Sequence, residues 1–173
     1  SELEVDVNEM TSMLDSYVSF VKTESPEPIE TIIINELIGD IVKTVEKNGV
    51  ELIIKEKNTI QTSGRQIQLK RAFNNIIDNS QRYAKKIEII LYTNEKDCVI
   101  EFNDDGEGIP RDKYEDVFKP FFTLDPSRNK LKGESGLGLT ITRDIIRSHG
   151  GDVKLSDSNL GGLQLKVLLP LWF

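Results

Sequence analysis

The chain has 173 residues, of which 38% are hydrophobic and 29% are charged, as expected for one globular domain with or without an appendage. This composition excludes intrinsic disorder, collagen-like repeats and a coiled coil throughout. The 22 basic and 29 acidic residues give a net charge of −7, which argues against a nucleic-acid-binding protein that depends on overall attraction to phosphate.

Cysteine content and hydropathy indicate the compartment. The single cysteine, Cys98, cannot form an intrachain disulfide, and its apolar, alternating neighbours predict a small buried side chain in a reducing environment. No apolar stretch approaches the roughly 20 residues that span a bilayer, and the N-terminus lacks the pattern of an export signal. We therefore expect a cytoplasmic chain.

The first 22 residues have the apolar spacing of a coiled-coil seam. Apolar residues recur at alternating steps of four and three, at Leu3, Val7, Met10, Leu14, Tyr17 and Val21. A helix over residues 1–22 is marginal alone, so another helix or the following domain must cover its stripe. An ordinary amphipathic helix on its own core is the alternative. The prolines of SPEP end this helix and predict three regions: a helix at 1–24, a linker at 25–28 and a domain at 29–173.

The segment from residue 29 to residue 83 alternates strands and helices. Its second helix carries a longer apolar pattern that includes Ile67, Phe73, Ile76 and Ile77. We predict a strand over 29–34, a helix capped by Asn35 and ended by Asn48 and Gly49, strands over 50–55 and 59–62, and a helix over 66–83.

The second half of the chain completes a sheet. Strands over 87–92 and 98–103 flank the turn NEKD and form a hairpin, and residues 122–135 form a polar, basic, lid-like loop. A helix over 137–149 and strands over 153–156 and 163–169 follow. The chain is therefore predicted to be an α/β two-layer sandwich, with a mixed sheet and helices on one face, preceded by an N-terminal helix.

Four polar residues share one side of the helix at 66–83. Asn75, Asn79, Arg82 and Tyr83 are spaced i, i+4, i+7 and i+8. An asparagine oxygen suits Mg²⁺, an arginine can reach phosphates and a tyrosine can lie against a base. Taken alone, the stripe is better explained as a solvent-facing surface that happens to hold two asparagines.

The motif DDGEGIP follows the strand at 98–103. The strand fixes Asp104, while Gly106 and Gly108 permit the close approach of a ligand. A carboxylate in such a pocket can accept the exocyclic amine of adenine and disfavour guanine, which presents a carbonyl there. By itself, Asp-Asp-Gly is also a common turn sequence.

The segment GESGLGLTI places glycines directly before a helix. Free backbone N–H groups and the helix dipole make such a start suitable for phosphate. Its spacing matches neither the dinucleotide-binding fingerprint nor the P-loop. The basic residues upstream suit a polyanion such as ATP, although a solvated loop would look the same; they are Lys119, Arg128, Lys130 and Lys132, opposed by Asp125.

These motifs occur in a meaningful order. NNIIDNSQRYA, DDGEGIP, FKPFF and SGLGL resemble, over residues 29–170, the N, G1, F and G2 boxes of the ATP-binding catalytic domain of sensor histidine kinases. That domain has the Bergerat ATP-binding fold, shared with Hsp90 chaperones, type II topoisomerases and MutL repair proteins. VNEMTSMLDSYVSF is similar to the second helix of the family's dimerisation and histidine phosphotransfer hairpin.

The resemblance implies roles for individual residues. Asn79 would hold Mg²⁺ with help from Asn75, and Asp104 would read the adenine amine. Phe118, Pro120 and Phe121 would anchor the lid, and Arg128 could reach the γ-phosphate. The complete implied ATP-binding set is Asn75, Asn79, Arg82, Tyr83, Asp104, Gly106, Gly108, Ile109, Phe118, Phe121, Arg128, Ser135, Gly136, Leu137, Gly138 and Leu139.

The resemblance also implies a function and partners. The chain would transfer the γ-phosphate of Mg-ATP to a histidine outside this sequence, on a hairpin of the same or a second subunit. A response regulator would then receive the phosphate, and the full-length parent would be a dimeric inner-membrane sensor. The only histidine, His149, lies in RSHGG, where we expect it to cap a helix as a favourable positive charge.

Two alternatives and two departures complete the prediction. A clamp-type ATPase of the superfamily would carry a glutamate where this chain has Asn75, which cannot accept a proton. A nucleotide-binding scaffold without transfer is the other alternative. The chain departs from the motifs of the family at Glu134, where glycine is frequent, and at Ser80, where alanine is usual.

Overall fold

The computed structural model describes residues 1–22, 27–45, 49–125 and 136–171, without the side chains of residues 9, 16 and 19–22. The described ranges form a long N-terminal helix followed by an α/β domain. Two short 3₁₀ turns, Arg111–Lys113 and Asp116–Phe118, follow the fifth strand. The elements are α1 (Glu2–Lys22), β1 (Glu30–Ile33), α2 (Ile34–Thr44), β2 (Glu51–Glu56), β3 (Gln61–Gly64), α3 (Gln66–Tyr83), β4 (Lys86–Thr93), β5 (Asp97–Asp104), α4 (Gly138–Ser148), β6 (Asp152–Asp157) and β7 (Leu163–Pro170).

The main sheet is mixed, as predicted. Its five strands lie in the order β2-β4-β5-β7-β6, with β2 and β4 parallel and the remaining pairs antiparallel. β1 and β3 form a separate antiparallel pair. β5 therefore lies at the centre of the main sheet, flanked by β4 and β7.

The hydrophobic core lies between the sheet and the helices. Phe73 of α3 packs against Phe102 of β5, with 6.1 Å between their ring centroids, and both rings are fully buried. Because side chains alternate along a strand, Phe102 and Asp104 point to this helix side, whereas Asn103 points to the opposite face. Cys98 is also buried, as predicted.

The helix predicted over residues 1–22 is present as α1, and its apolar stripe is exposed. Leu3, Met10 and Leu14 expose 77%, 63% and 60% of their surface, respectively. The stripe is therefore uncovered in the chain as described. Among the described residues, no helix combines the length and the apolar character needed to cross a bilayer.

Asn35 is not the helix cap that the sequence suggested. α2 begins one residue earlier, and the Asn35 side chain instead bonds the segment before β3. Its Oδ1 accepts the Ile60 N–H at 2.8 Å and its Nδ2 donates to the Asn58 carbonyl at 2.9 Å. These bonds hold residues 58–60 against the start of α2, so β3 begins at Gln61 rather than at residue 59. At the other end, α2 stops at Thr44, because Val45 is extended.

Ile67 does not belong to the buried face of α3, and 68% of its surface is exposed. It lies six positions before Phe73, so at 3.6 residues per turn it falls on another side of the helix. Its N–H donates to the carboxylate of Glu27, and the Gln68 N–H does the same. Glu27 therefore supplies the cap of α3 from a position 40 residues earlier.

The expectation of a positively charged His149 is wrong. The ring does cap the end of α4, since Nδ1 lies 2.7 Å from the Ile145 carbonyl and must donate to it. However, Nε2 accepts the Arg65 N–H at 3.0 Å, so the ring is the neutral Nδ1–H tautomer. Burial is the main reason that the pKa of His149 is lowered from its ordinary value.

Candidate nucleotide-binding site

Asp104, the last residue of β5, lies at the helix side of the sheet and is 6% exposed. Its Oδ1 accepts the N–H of Gly106 and the N–H of Leu163, both at 3.0 Å. Its backbone carbonyl accepts the Gly162 N–H at 3.0 Å. The turn between β6 and β7 is thus bonded directly to the predicted adenine-reading residue.

Burial raises the pKa of Asp104, while hydrogen bonds from Leu163, Gly106 and Ser80 act in the opposite direction. The neighbouring negative charge of Asp105 raises it further. Asp105 itself is exposed, and bonds from the Lys86 and Lys85 N–H groups lower its pKa. Of the two adjacent acids, Asp104 is therefore the one that is desolvated and turned inward.

Two glycines make room around Asp104. A Cβ on Gly106 would lie 2.9 Å from the Tyr83 carbonyl oxygen and 3.2 Å from Oδ1 of Asp104. A Cβ on Gly162 would collide with the same Oδ1, and would also lie 2.5 Å from the Gly106 nitrogen. Side chains at these positions would displace the carboxylate, so both positions require glycine sterically.

A cleft with a cavity volume of about 110 Å³, partly open to solvent, lies beside this carboxylate. Five predicted residues line it together with four others: Asn79, Tyr83, Asp104, Gly108 and Ile109, joined by Glu107, Leu124, Asp125 and Leu163. The structure therefore brings the Asn/Tyr stripe of α3 and the DDGEGIP segment to one place.

The four polar residues predicted on α3 separate into two groups. Asn79 and Tyr83 line the cleft, one turn apart. Arg82 is exposed, and its charge acts on Asp78, one turn earlier on the helix. Asn75 lies beside the start of α4, with its Nδ2 3.5 Å from the Gly138 carbonyl.

The start of α4 packs against α3 and has no side-chain cap. Buried Leu137 precedes it, and Gly138 and Leu139 form its first turn. The first N–H groups of a helix have no partners within the helix, so this turn has the chemistry of an anion seat. Its described residues are near α3 but do not line the cleft.

The FKPFF segment is attached to α4 and to Gly136, two residues before it. The Phe118 carbonyl accepts the Thr140 hydroxyl at 2.8 Å, and the Arg143 guanidinium lies 4.5 Å from the centre of the buried Phe118 ring. Phe121 is exposed and has a positive φ of 62°, and its N–H donates to the Gly136 carbonyl at 2.9 Å. Gly136 must be glycine, because its φ is 69° and a Cβ would lie 2.8 Å from Cα of Phe121.

Part of the predicted site lies outside the described residues. Arg128, Ser135 and the lysines of the basic loop belong to residues 126–135. Their predicted roles stay predictions.

Sequence reasoning missed several residues of the site. Gly162 and Leu163 were assigned only to a turn and a strand, because the contact with Asp104 spans 59 residues of sequence. Leu124 and Asp125 were grouped with a lid rather than a cleft wall. Glycines at 161 and 162 were the one available signal, since paired glycines also mark close backbone approach.

Comparison with known proteins relates the site to a family. Residues 64–172 match the family described as histidine kinase-, DNA gyrase B- and HSP90-like ATPase. The sensor histidine kinase GtrS of Pseudomonas aeruginosa is 31% identical over 168 residues, covering 95% of this chain and 34% of GtrS. The sensor histidine kinase CpxA of Escherichia coli is 30% identical over 178 residues, covering 98% of this chain and 39% of CpxA. The chain therefore spans about a third to two fifths of these relatives.

Solved structures share the fold. The mycobacterial sensor histidine kinase MprB superposes with a TM-score of 0.73 at 25% identity, covering 83% of this chain and 98% of that structure. The catalytic domain of the histidine kinase ThkA has a TM-score of 0.72 at 22% identity, covering 83% and 96%. These comparisons confirm the predicted fold, and the chain belongs to the family of histidine kinase-, DNA gyrase B- and HSP90-like ATPases.

Proposed function

We propose that this chain is the ATP-binding catalytic domain of a sensor histidine kinase and presents the γ-phosphate of Mg-ATP to a histidine on a separate helical hairpin. The buried Asp104 carboxylate beside the cleft is the single observation that carries this proposal. An inward-facing acid held by backbone donors can accept an amine, whereas the guanine carbonyl would meet another acceptor.

The residues beside the cleft suit the remainder of the nucleotide. Tyr83 can lie against the base or ribose, and the glycines at 106, 108 and 162 leave the space that a ligand needs. The first turn of α4 can receive phosphate oxygens. Arg128, Lys130 and Lys132 come before α4 in the sequence, and their positive charge would suit a polyanion such as ATP.

Asn79 is the residue best suited to Mg²⁺. Its side-chain oxygen is a hard, neutral ligand at the cleft wall, which suits an ion that shares its coordination with waters and phosphates. Asn75 would assist from the preceding turn of α3. Bound Mg²⁺ would neutralise phosphate charge during transfer.

The proposed reaction is a phosphoryl transfer. The unprotonated imidazole nitrogen of the acceptor forms a bond to the γ-phosphorus, the bond from that phosphorus to the bridging oxygen breaks, and ADP leaves. The proton on the other ring nitrogen then goes to solvent. The residues of this chain position the nucleotide and stabilise the charge of its phosphates, rather than acting as a base. His149 is an unsuitable acceptor, since both of its ring nitrogens are engaged.

Asn75 favours transfer to a histidine over hydrolysis of ATP. It occupies the position where a clamp-type ATPase would need a proton-accepting glutamate, and an amide cannot accept that proton. A neutral imidazole is already nucleophilic near pH 7 and needs no such base.

The exposed stripe of α1 supports the proposed partners. Seven large apolar side chains of α1 have at least 42% of their surface exposed, which is unusual for a helix with no partner. A second helix and a second subunit would cover these apolar side chains, as in a dimeric phosphotransfer hairpin. A response regulator would accept the phosphate from that hairpin.

Calorimetric titration with ATP and GTP, each with and without Mg²⁺, tests the nucleotide site. We expect adenine-selective binding that Mg²⁺ strengthens, and Asn79→Ala should lose mainly the Mg²⁺-dependent part. Asn94→Ala is a matched control, because Asn94 lies in the distant β4–β5 turn and bonds only local backbone there. Equal binding of ATP and GTP would contradict the assignment.

Incubation with γ-labelled ATP and a separate phosphoacceptor hairpin tests the reaction. Labelled histidine supports the kinase, and release of free phosphate supports the clamp-type ATPase. Binding without either product supports the scaffold.

A further inference from the structure

Glu27, a residue of the predicted linker, is hydrogen-bonded to the start of α3, the helix that lines the nucleotide cleft. The two oxygens of its half-buried carboxylate accept the Ile67 and Gln68 N–H groups, at 2.5 Å and 3.3 Å. α3 supplies no cap of its own, because the Arg65 side chain at the N-cap position forms no capping bond and the first turn contains no acidic residue. The negative charge of Glu27 also suits the positive end of the helix dipole.

The bonds of Glu27 shorten the chain that connects α1 to the domain. α1 ends at Lys22, so four residues, 23–26, separate it from Glu27 and can span at most about 18 Å. Beyond Glu27, the first residue that pairs with another strand is Glu30, opposite Gly64. If Glu27 were released, seven residues, 23–29, would connect α1 to that strand and could span about 29 Å.

The start of α3 is also bonded to the second helix of the nucleotide site. The Arg65 N–H donates to Nε2 of His149 at 3.0 Å, and His149 directly follows α4. α3 carries Asn79 and Tyr83, and the opposite end of α4 is the turn that suits phosphate. Glu27 therefore connects the linker to the place where both helices of the site are joined.

We propose that Glu27 is a positioning residue that anchors the linker to α3 and thereby keeps the nucleotide site within close reach of the hairpin to which α1 belongs. The inference rests on the proposed transfer of phosphate to a histidine on that hairpin. A shorter tether raises the effective concentration of the groups that it joins, provided that it can span the distance between them. Glu27 acts on the delivery of phosphate and not on the binding of ATP.

Replacing Glu27 by alanine tests the proposal in a chain that carries the complete hairpin. We expect the rate at which γ-labelled ATP labels the histidine of this joined hairpin to fall about two- to fourfold, because the tether becomes longer. The affinity for ATP should stay the same. Transfer from the 173-residue chain to a separate hairpin should also be unchanged, since no tether takes part. Glu30→Ala is the matched control, because Glu30 is an exposed glutamate three residues later.

A double variant separates the anchoring of the linker from the capping of the helix. Glu27→Ala removes a helix cap and should also lower Tm. Arg65 has the extended backbone that an N-cap aspartate requires, with φ −102° and ψ 111°. Adding Arg65→Asp to Glu27→Ala should therefore restore Tm, whereas transfer to the joined hairpin should stay slow. Recovery of the full rate would show that Glu27 acts only as a cap, and would overturn the inference.

The outcomes distinguish this inference from the proposed function. If the unmodified chain labels neither the joined nor the separate hairpin, the proposed function fails and the inference with it. If it labels both, and Glu27→Ala leaves the joined rate unchanged, raises it or slows both reactions equally, only the inference is overturned. Slower transfer to the joined hairpin alone supports the anchor.

Discussion

Two buried carboxylates lie on opposite faces of the same sheet, and they are stabilised differently. Glu88 of β4 faces away from the helices, has a side chain that is 7% exposed and forms an ion pair with Lys55 at 2.7 Å. Asp104 faces the helices, and its Oδ1 is held by the backbone N–H groups of Gly106 and Leu163. Among the described residues, no lysine or arginine forms an ion pair with Asp104.

The difference separates a structural acid from one available to a ligand. A buried carboxylate with a cation already has a strong partner, and its charge is compensated within the chain. Asp104 is desolvated but uncompensated, a state that raises the pKa of the group and favours an incoming donor. Burial alone would not have distinguished the two acids.

The largest expected effect is on nucleotide binding. Asp104→Asn should weaken ATP binding by about 100-fold or more, because an amide can present N–H where the adenine amine needs an acceptor. Calorimetry measures the change. Glu88→Gln is the matched control and should bind ATP normally, since its side chain is on the other face of the sheet. A similar loss of binding in both variants would show that the face of the sheet does not decide which acid contacts ATP.

The next largest effect concerns the space around Asp104. Gly162→Ala should destabilise the fold by about 1–3 kcal/mol, because its methyl group would overlap Oδ1 of Asp104 and force it to move. ATP binding should fall with it. Denaturant unfolding measures the stability, and Gly39→Ala is the control, since a Cβ there meets nothing within 4 Å. Unchanged stability and binding in Gly162→Ala would show that the turn does not constrain the carboxylate.

A smaller pair of effects should have opposite signs. At pH 7 the raised pKa of Asp104 means that its charge costs stability, so Asp104→Asn should raise Tm by about 2–4 °C. Glu88→Gln should lower Tm by a similar amount, because it removes the ion pair. Scanning calorimetry at pH 7 tests both, and the gain in Asp104→Asn should shrink as the pH falls through the pKa of the folded state. If both variants changed Tm in the same direction, the two acids would not differ in how their charge is stabilised.

The smallest effect concerns the half-buried His149, whose ring nitrogens both form hydrogen bonds. Its pKa is lowered from 6.5, so the unfolded state binds the proton more readily and stability should fall as the pH drops below about 6.5. His149→Gln should reduce this fall by about 1–3 °C in Tm between pH 7 and pH 5. An unaltered pH profile would mean that another group causes the loss.

The sequence predicted the sheet and the helices well. Periodicity located α3 at its observed ends, and the alternating apolar residues of β5 correctly predicted that Cys98 is buried. These predictions succeeded because they depend on local spacing. Asn79, Tyr83 and Asp104 then met in one cleft because α3 and β5 pack together.

The features that were missed depend on long-range contacts. No local pattern shows that the Leu163 N–H reaches Asp104, that Glu27 caps α3 or that Asn35 bonds Ile60 rather than its own helix. The charge state of His149 was likewise decided by the Arg65 N–H, 84 residues away in sequence. Such partners follow from the packing and not from residue type.

The alternation along β5 restricts how this sequence can vary in evolution. Asn103 accepts a hydrogen bond from the Gln164 amide on one face, while its neighbour Asp104 lines the cleft on the other. Insertion or deletion of one residue within β5 would exchange these two positions unless a bulge absorbed it. Homologues should therefore gain or lose residues at the ends of the β4–β5 hairpin and keep the number of residues inside β5 constant.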